Sequence, residues 1–305
     1  MAVEETVDVH AERRRLVALA YRVLGTTAEA EDAVQETYLR WYRLGEAERA
    51  AVVNPSAWLT TVASRVCLDV LGSARHRRER YVGQWLPEPV PAQHFAGSAG
   101  EAADPFERVS LAESVSTAVL VVMEAMTPAE RVAFVLHDVF AVPFGEVAAI
   151  VGRTPAAVRQ LASSARRRVR ERGAVGLDRA VHDDVVRAFA HAAGTGDLAA
   201  LSALLDPSVT LVSDGGGVVS AARRPVLGVS NVARFVLGIA CKDPSLRLEP
   251  TVTGDGLAFL LVGGDAGDQG GRVRAVVNFG VTDGRVREVW IQMNPAKLRV
   301  WDARP

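Results

Sequence analysis

The stretch that most constrains this chain is residues 143–172, which read PFGEVAAIVGRTPAAVRQLASSARRRVRER. Apolar residues spaced three and four apart predict a first short helix, and Gly152 can end it because a residue without Cβ turns freely. Thr154 and Pro155 then supply an N-cap and a first helical residue that needs no backbone donor. This order of signals predicts a helix-turn-helix.

The second predicted helix has an apolar stripe and a basic, polar face. The stripe comprises Val158, Leu161, Ala162, Ala165 and Val169. The opposite face comprises Arg159, Ser163, Arg166 and Arg170, flanked by Gln160, Ser164, Arg167 and Arg168. Residues 153–172 hold seven Arg and one Glu, a local charge of +6 in a chain of net charge -1. Such clustering favours a polyanionic partner over a merely solvated face, so we expect this helix to contact DNA.

Length and composition limit the class of protein. With 305 residues, of which 49% are hydrophobic, the chain can form two or three domains with separate cores. No apolar run approaches a membrane span, and the first residues do not resemble a signal peptide, so we expect a cytoplasmic protein without membrane contact. Cys67 and Cys241 lack metal-ligand spacing. We therefore expect no disulfide, no metal site and no cofactor.

Two earlier helices have faces that suit partners. The helix after Thr26 buries Val34 and Trp41 by its pattern and leaves Leu39 exposed among acidic residues, which is compatible with a protein contact. Asn54 and Pro55 start a longer helix whose end is basic. That basic end, a second candidate phosphate site, contains Arg75, His76, Arg77, Arg78 and Arg80.

The segments DAVQETYLRWYR and WLTTVASRVCLD, followed by residues 127–172, resemble a bacterial sigma factor of the extracytoplasmic-function group, group IV. The resemblance covers residues 10–172. It implies a first domain that binds the polymerase clamp and melts the minus-10 element, and a later domain that reads the minus-35 element. The implied polymerase contacts are Asp32, Gln35, Glu36, Leu39 and Arg40. The DNA contacts that the resemblance implies are Arg65, Arg159, Gln160, Ser163, Ser164, Arg166 and Arg167. We also expect DNA contacts at Arg75, Arg77, Arg78 and Thr154.

The C-terminal third changes character. Two predicted helices lead into a strand, alternating apolar stretches follow, and Asp283-Gly284 predicts a hairpin turn. This α+β order resembles a SnoaL-like domain, in which a curved sheet and helices enclose a pocket. The motifs WLPEP, DGGG and NPAKL resemble one sigma-factor subgroup with such a domain. The residues implied to act between domains are Trp85, Leu86, Pro87, Asp214, Gly215, Gly216, Gly217, Asn294, Pro295, Lys297 and Leu298.

These observations predict a multidomain chain with two all-α sigma domains and a C-terminal α+β SnoaL-like domain. The expected divisions are 1–84, a linker at 85–105, 106–175 and 176–305. We expect promoter-specific transcription initiation with core RNA polymerase, through its beta-prime clamp and beta flap, modulated in cis by the C-terminal domain.

The sequence leaves two alternatives open. One is a DNA-binding regulator that acts without polymerase. The other is a ligand-sensing or isomerase-like protein with a DNA-binding module. Its C-terminal pocket would take a small apolar ligand, and the polar residues available to it would be Asp214, Asp265, Asn278 and Trp290. No carboxylate-histidine pair can be recognised by spacing, so we expect a non-enzyme without catalytic residues.

Overall fold

The computed structural model describes residues 11–78, 81–95, 115–171, 178–243, 245–263 and 271–302. The chain divides into two compact units. The helical unit comprises Met1–Arg77, Phe95–Leu111 and Met123–Arg168, and the sheet unit comprises Arg78–His94, Ala112–Val122 and Val169–Pro305. Within the described ranges, no helix is both long and apolar enough to cross a membrane.

The first part of the helical unit is a group of helices with the caps that the sequence predicts. Gly25 ends the first helix with a φ of 85°, and the Thr26 side chain accepts from the Glu29 amide to start the second. Asn54 Oδ1 accepts from the Ala57 amide where the fourth helix begins. These helices are α1 Arg13–Leu24, α2 Thr27–Arg43, α3 Glu46–Ala50 and α4 Pro55–Arg78.

A buried arginine lies in the core of this part. The Arg22 guanidinium donates to the Ala18 carbonyl at 2.7 Å and lies over the rings of Phe95 and Phe140. Burial lowers the pKa of Arg22 to about 10, so the side chain remains charged at neutral pH. The aromatic faces thus compensate for part of the lost hydration.

The second helical group begins with a short helix whose first residues belong to the sheet unit. The predicted capping box at Thr127 and Glu130 is confirmed, because each side chain accepts from the other residue's backbone amide. A π-helical turn, Val135–Val139, follows the second of these helices. The helices are α5 Thr117–Glu124, α6 Pro128–Phe134, α7 Phe144–Val151 and α8 Pro155–Glu171.

The helix-turn-helix is formed by α7 and α8, as predicted. Gly152 has a φ of 68° and caps α7, and Thr154 Oγ1 accepts from the Ala157 amide at the start of α8. The predicted apolar stripe of α8 is confirmed, with Leu161 half-buried and the other members buried. The turn geometry therefore follows from one glycine and one hydroxyl cap.

The sheet unit is α+β, as the sequence predicts, with two helices before the first strand. Its elements are α9 Arg179–Thr195, α10 Leu198–Leu204, β1 Leu205–Asp214, β2 Val226–Leu227, α11 Val229–Lys242, β3 Arg247–Thr253, β4 Gly256–Gly263, β5 Arg272–Thr282, β6 Arg285–Gln292 and α12 Arg299–Asp302. The strand order is β2-β1-β6-β5-β4-β3; β1 and β6 are parallel, and the other neighbours are antiparallel.

Two turns explain how the strands follow one another. Asp283 and Gly284, with φ values of 51° and 72°, join β5 to β6 in the predicted hairpin. Gly254 and Asp255 join β3 to β4, a turn that the alternating pattern did not reveal. Helix α11 was also absent from the sequence prediction. Register shifts occur in three strand pairs and bend the sheet.

The two faces of this sheet have different partners. Side chains such as Val277 and Phe279 pack on one face with apolar residues of α9 and α11. The other face packs Val276 against Trp301 of α12. Residues 86–90 have no regular secondary structure, as expected for a linker, yet Leu86 and Val90 are each only 2% exposed. They are therefore fixed parts of this unit.

Replacing Gly152 by Ala tests the turn of the helix-turn-helix. The left-handed φ at Gly152 is unfavourable for a residue with Cβ, so Gly152→Ala should lower the free energy of unfolding by about 1 kcal/mol. Gly145→Ala is the control, because Gly145 lies within α7 and its added Cβ would meet nothing within 4 Å. It should leave stability unchanged or raise it by up to about 1 kcal/mol. The free energies of unfolding would be measured by urea titration followed by circular dichroism. If both variants changed the free energy of unfolding equally, a Cβ at Gly152 would cause no strain in the turn.

Candidate nucleic-acid interface and linker-binding site

The residues implied to bind polymerase share one face of α2. They recur at intervals of three and four residues, opposite the buried Ala33, Val34 and Trp41. Leu39 is 45% exposed, and Arg40 Nε donates to Glu36 Oε1 at 2.8 Å. The face therefore combines an exposed apolar side chain with a fixed ion pair. Its members are Asp32, Gln35, Glu36, Leu39 and Arg40.

Helix α4 carries the other implied DNA contacts of the first domain. Arg65 is exposed and donates to the Ala149 carbonyl at 3.2 Å. Arg75, Arg77 and Arg78 lie on the last two turns of α4, but their side chains are outside the described part of the structure. The positions form a basic helix end, as the sequence predicts.

The outward face of α8 presents four of its predicted residues, namely Arg159, Gln160, Ser163 and Arg167. The Arg159 guanidinium lies 5.4 Å from the centroid of the Phe144 ring, which orients it by a cation–π contact. Ser164 and Arg166 instead contact acids of their own domain. Ser164 Oγ donates to Glu130 Oε1 at 3.2 Å, and Arg166 Nε lies 3.1 Å from Asp138 Oδ1.

Asp214, at the end of β1, is the centre of a buried polar cluster. Its side chain is completely buried. Oδ1 accepts from Tyr81 Oη at 2.6 Å and from the Gly216 amide at 2.9 Å. Oδ2 accepts from the Leu86 amide at 3.0 Å and from Lys297 Nζ at 2.8 Å. Two of these donors belong to the segment before the sheet, so the carboxylate fixes residues 81–86 on the unit.

Lys297 and Gln292 complete the same cluster. Lys297 Nζ donates to the Leu86 carbonyl at 2.6 Å and lies 4.2 Å from the centroid of the Trp85 ring. Gln292 Nε2 lies 3.2 Å from the Pro87 carbonyl. Trp301 Nε1 donates to the Pro89 carbonyl at 2.8 Å. We call Asp214, Gln292, Asn294, Lys297 and Trp301 the Asp214 cluster.

The glycines of the DGGG motif let the chain pass close to this cluster. A Cβ on Gly216, whose φ is 64°, would lie 2.4 Å from Asn294 Cγ, and one on Gly215 would lie 2.1 Å from the Val219 carbonyl oxygen. Gly217 also has a positive φ, 74°. Asn294 Nδ2 donates to Tyr81 Oη at 2.9 Å. The motif residues Pro295 and Leu298 belong to the short turn that follows.

The charges of the cluster depend on one another. Burial opposes ionisation of Asp214, but the charge and hydrogen bond of Lys297, together with the Tyr81 hydroxyl and the Leu86 amide, hold the pKa of Asp214 below its usual value. Burial and the hydrogen bond to Asp214 raise the pKa of Tyr81. Near neutral pH the cluster therefore contains an ionised Asp214, a charged Lys297 and a neutral Tyr81 hydroxyl.

The β3–β4 turn binds the start of α5. Asp255 Oδ2 accepts from the Thr117 amide at 2.9 Å, and Oδ1 accepts from the Ala118 amide at 3.2 Å. These are the first amides of α5, which lack partners within the helix. A Cβ on Gly254 would lie 2.7 Å from the Val115 carbonyl carbon, so only glycine allows this approach. Burial raises the pKa of Asp255 despite these hydrogen bonds.

Asn278 of β5 supports this contact. Its Nδ2 donates to Thr117 Oγ1 at 2.9 Å, and its Oδ1 accepts from Thr253 Oγ1 at 2.9 Å. We call Thr253, Asp255 and Asn278 the Asp255 cluster. Together the two clusters bind the start of α5 and the segment from Tyr81 to Pro89 to the same unit.

The polar residues considered for an enzymatic pocket lie elsewhere. Asp214 binds Tyr81 and Leu86, and Asn278 binds Thr117. The sheet unit contains a cavity lined in part by Val289 and Ile291 of β6, and Trp290 lies between these two residues on the strand. Asp265 lies outside the described residues. The described lining of the cavity is apolar and does not include Asp214, Asn278 or Trp290, so these residues do not serve the pocket of the isomerase-like alternative. Strand alternation is the reason, because neighbours point to opposite faces.

Several residues of the two clusters, and two residues that bind to them, were not predicted. The cluster members are Gln292, Trp301, Thr253 and Asp255, and the bound residues are Tyr81 and Thr117. The sequence holds one signal for Gln292, because this polar residue ends an apolar strand. In the structure it is buried. Such a residue needs hydrogen-bond partners, but the sequence does not say where they come from. Asp255 resembles an ordinary turn residue, so its capping of a distant helix has no local signal.

The amino-acid sequence matches known family models and relatives. Sigma-70 region 2 matches residues 9–78, and Sigma-70, region 4 matches residues 116–169. The helical parts therefore define a transcription initiation factor of the sigma class, which acts with RNA polymerase and promoter DNA. Over 305 residues the chain is 41% identical to the ECF RNA polymerase sigma factor SigJ of Mycobacterium tuberculosis, covering 96% of this chain and 93% of that protein. The chain belongs to the ECF RNA polymerase sigma factors.

Structural comparison agrees with this family assignment. The crystal structure of Mycobacterium tuberculosis SigJ matches with a TM-score of 0.72 and 38% identity, covering 97% of this chain and 99% of that one. The sigma factor SigG of the same species is 32% identical over 171 residues, which cover 50% of this chain and 44% of SigG. The sheet unit contains the α+β fold that the sequence predicts for the C-terminal domain, and the match to the SigJ structure includes it.

Replacing Asp214 by Asn tests the buried ion pair. Asp214→Asn leaves Lys297 buried without its counter-charge and should lower the free energy of unfolding by about 3–5 kcal/mol at pH 7. Since the folded pKa of Asp214 lies below the ordinary value of 3.8, its contribution is present above that pH and is lost as pH falls through the folded pKa. The difference between native and variant protein should therefore shrink below about pH 4 in denaturant titrations.

Asp283→Asn is the matched control, because Asp283 is exposed in a turn that Asn also favours. It should change stability little at any pH. The double variant Asp214→Asn with Lys297→Met should lose less than the sum of the single losses. A loss in Asp214→Asn that is independent of pH would show that the carboxylate charge contributes nothing.

Proposed function

We propose that this sigma factor directs promoter-specific initiation with its C-terminal domain acting in cis on the connection between regions 2 and 4. One observation carries the proposal. The sheet unit binds both the segment that follows region 2, through Asp214, and the first turn of region 4, through Asp255. The two ends of the interdomain connection are thus attached to one folded body.

The physical role follows from the geometry of promoters. Reading two DNA elements requires two domains at a defined separation, and an unstructured connection allows many separations. Attaching both ends of the connection restricts that range. The C-terminal domain would then favour promoters whose elements have a particular spacing.

The faces of α2, α4 and α8 have separate tasks. The α2 face of Asp32, Gln35, Glu36, Leu39 and Arg40 binds the beta-prime clamp of core polymerase, and region 4 contacts the beta flap. Helix α4 binds the minus-10 element through Arg65 and the basic helix end. Helix α8 binds the minus-35 element through its outward face, with Ser164 and Arg166 contributing after they leave their acidic partners.

The remaining features complete the proposal. The factor acts in the cytoplasm, where polymerase and promoter DNA are found. It has no enzymatic activity, because the described residues around its cavity supply no acid, base or nucleophile. A small apolar ligand in that cavity is a candidate signal.

Arg159→Ala tests direct reading of the minus-35 element. If the Phe144 ring holds Arg159 for a base contact, the variant should lose about 1–3 kcal/mol of affinity for promoter DNA and discriminate less against a mutated element. Arg167→Ala removes an exposed charge of the same helix and should weaken promoter and random DNA alike. Binding titrations at fixed salt would contradict the assignment if both variants lost the same affinity on both DNAs.

Asp255→Ala tests the attachment of region 4. Losing this helix cap should relax discrimination among promoters whose spacer is lengthened or shortened by a base pair, by about three- to tenfold. The measurement is run-off transcription with core polymerase on a series of spacer lengths. Thr117→Val keeps the backbone amide that donates to Asp255 but removes the hydroxyl that accepts from Asn278, so it should give a smaller change in the same direction.

Asp197→Ala is the matched control for this experiment. Asp197 caps α10 by accepting from the Ala200 amide, a hydrogen bond that is local to α10. It removes the same kind of cap from the same unit and should leave spacer discrimination unchanged. Equal spacer profiles for native protein and Asp255→Ala would refute the role of this contact in spacing.

A further inference from the structure

The sheet face opposite the linker segments borders a cavity of about 440 Å³. It lies between strands β4, β5 and β6 and helices α9 and α11, within the sheet unit. We propose that this cavity is a binding site for an uncharged, apolar small molecule. Its consequence for transcription rests on the proposed cis-acting role, but binding itself is measured independently of transcription.

The lining determines the class of molecule. Phe189, Phe259 and Phe279 contribute aromatic rings, with Phe189 and Phe279 in an edge contact at 5.0 Å between centroids. The other described lining residues are aliphatic side chains, Ala or Gly. A charged or strongly polar group inside would lose its hydration without gaining a partner. The buried part of the occupant must therefore be apolar.

The size of the cavity indicates a site rather than a packing defect. Protein interiors are close-packed, and voids larger than a water molecule are few. A volume of about 440 Å³ lies within the usual range of about 300–1,000 Å³ for small-molecule sites. An apolar space of this kind does not hold water well and favours apolar guests.

The cavity also has an entrance. Leu248 of β3 lines it and is 41% exposed, and Gly194 near the end of α9 lines it and is also exposed. A Cβ on Gly194 would meet no atom within 4 Å, so space remains at this rim. A small molecule can therefore enter between α9 and the β3 edge without unfolding the sheet.

Strand β5 links the cavity to the region 4 attachment. Val277 and Phe279 line the cavity, while Asn278 between them points to the other face and binds Thr117. An occupant that moves Val277 or Phe279 shifts the backbone that positions Asn278. The sheet thus provides a direct physical connection between ligand binding and the start of region 4.

The test uses the full chain and the fluorescent probe N-phenyl-1-naphthylamine. Native protein should give saturable emission, and Gly194→Phe, which places a ring over the entrance, should bind the probe at least about tenfold more weakly. Gly238→Phe is the matched control: Gly238 lies in α11, its added Cβ meets nothing within 4 Å, and it does not line the cavity. It should bind like the native protein. Near-ultraviolet circular dichroism confirms that all three proteins are folded.

Two results would overturn the proposal. One is emission that does not saturate with native protein, and the other is equal probe affinity in native protein and Gly194→Phe. Displacement tests the class of ligand, because 1-octanol should displace the probe at a concentration about tenfold or more below that of octanoate. Equal displacement would contradict an uncharged ligand. Spacer-dependent transcription is not measured here, so failure of this site leaves the Asp255 experiment unaffected.

Discussion

A carboxylate without exposed surface must obtain from fixed donors what water would otherwise supply, and Asp214 imposes this requirement on the sheet unit. Lys297 provides the counter-charge, while Tyr81 and Leu86 provide donors from a segment that precedes the sheet by more than a hundred residues in the chain. The end of β1 and the path of the linker are therefore determined by one set of hydrogen bonds. Neither can change without leaving charge or polar groups unsatisfied.

The sheet separates two tasks by its alternation. On β5 and β6, successive side chains point either to the linker segments or to the helices and the cavity. Gln292 donates to backbone carbonyls of Leu86 and Pro87, and Asn278 donates to the Thr117 hydroxyl at the start of α5. The neighbours of both residues on their strands are apolar. The polar side chains of these two strands therefore lie on the sheet face away from the cavity, where they bind the linker and the start of α5.

Local signals made much of the fold predictable. The caps at Thr26, Asn54, Thr127 and Thr154 depend on neighbours within three residues, and the basic face of α8 depends on helical periodicity alone. The resemblance of motifs also grouped residues that the structure brings together around Asp214. Their geometry, however, depends on contacts far apart in sequence.

The contacts at Asp255 show the limit of such prediction most clearly. A turn aspartate is normally explained by its own turn, and nothing near it indicates that it caps α5. The sequence around Asn278 is equally uninformative, because an amide side chain suits a pocket or a hydrogen-bonded core position. The face to which a strand residue points is decided by the register of the whole sheet, so a shift of one residue exchanges the two interpretations.

The free energy of the linker contact is a small difference between larger quantities. Burial of Leu86 and Val90 favours the contact, whereas the loss of backbone entropy in the linker residues opposes it. The buried pair of Asp214 and Lys297 adds little net affinity, because desolvation offsets much of its attraction. The hydrogen bonds therefore determine register more than strength.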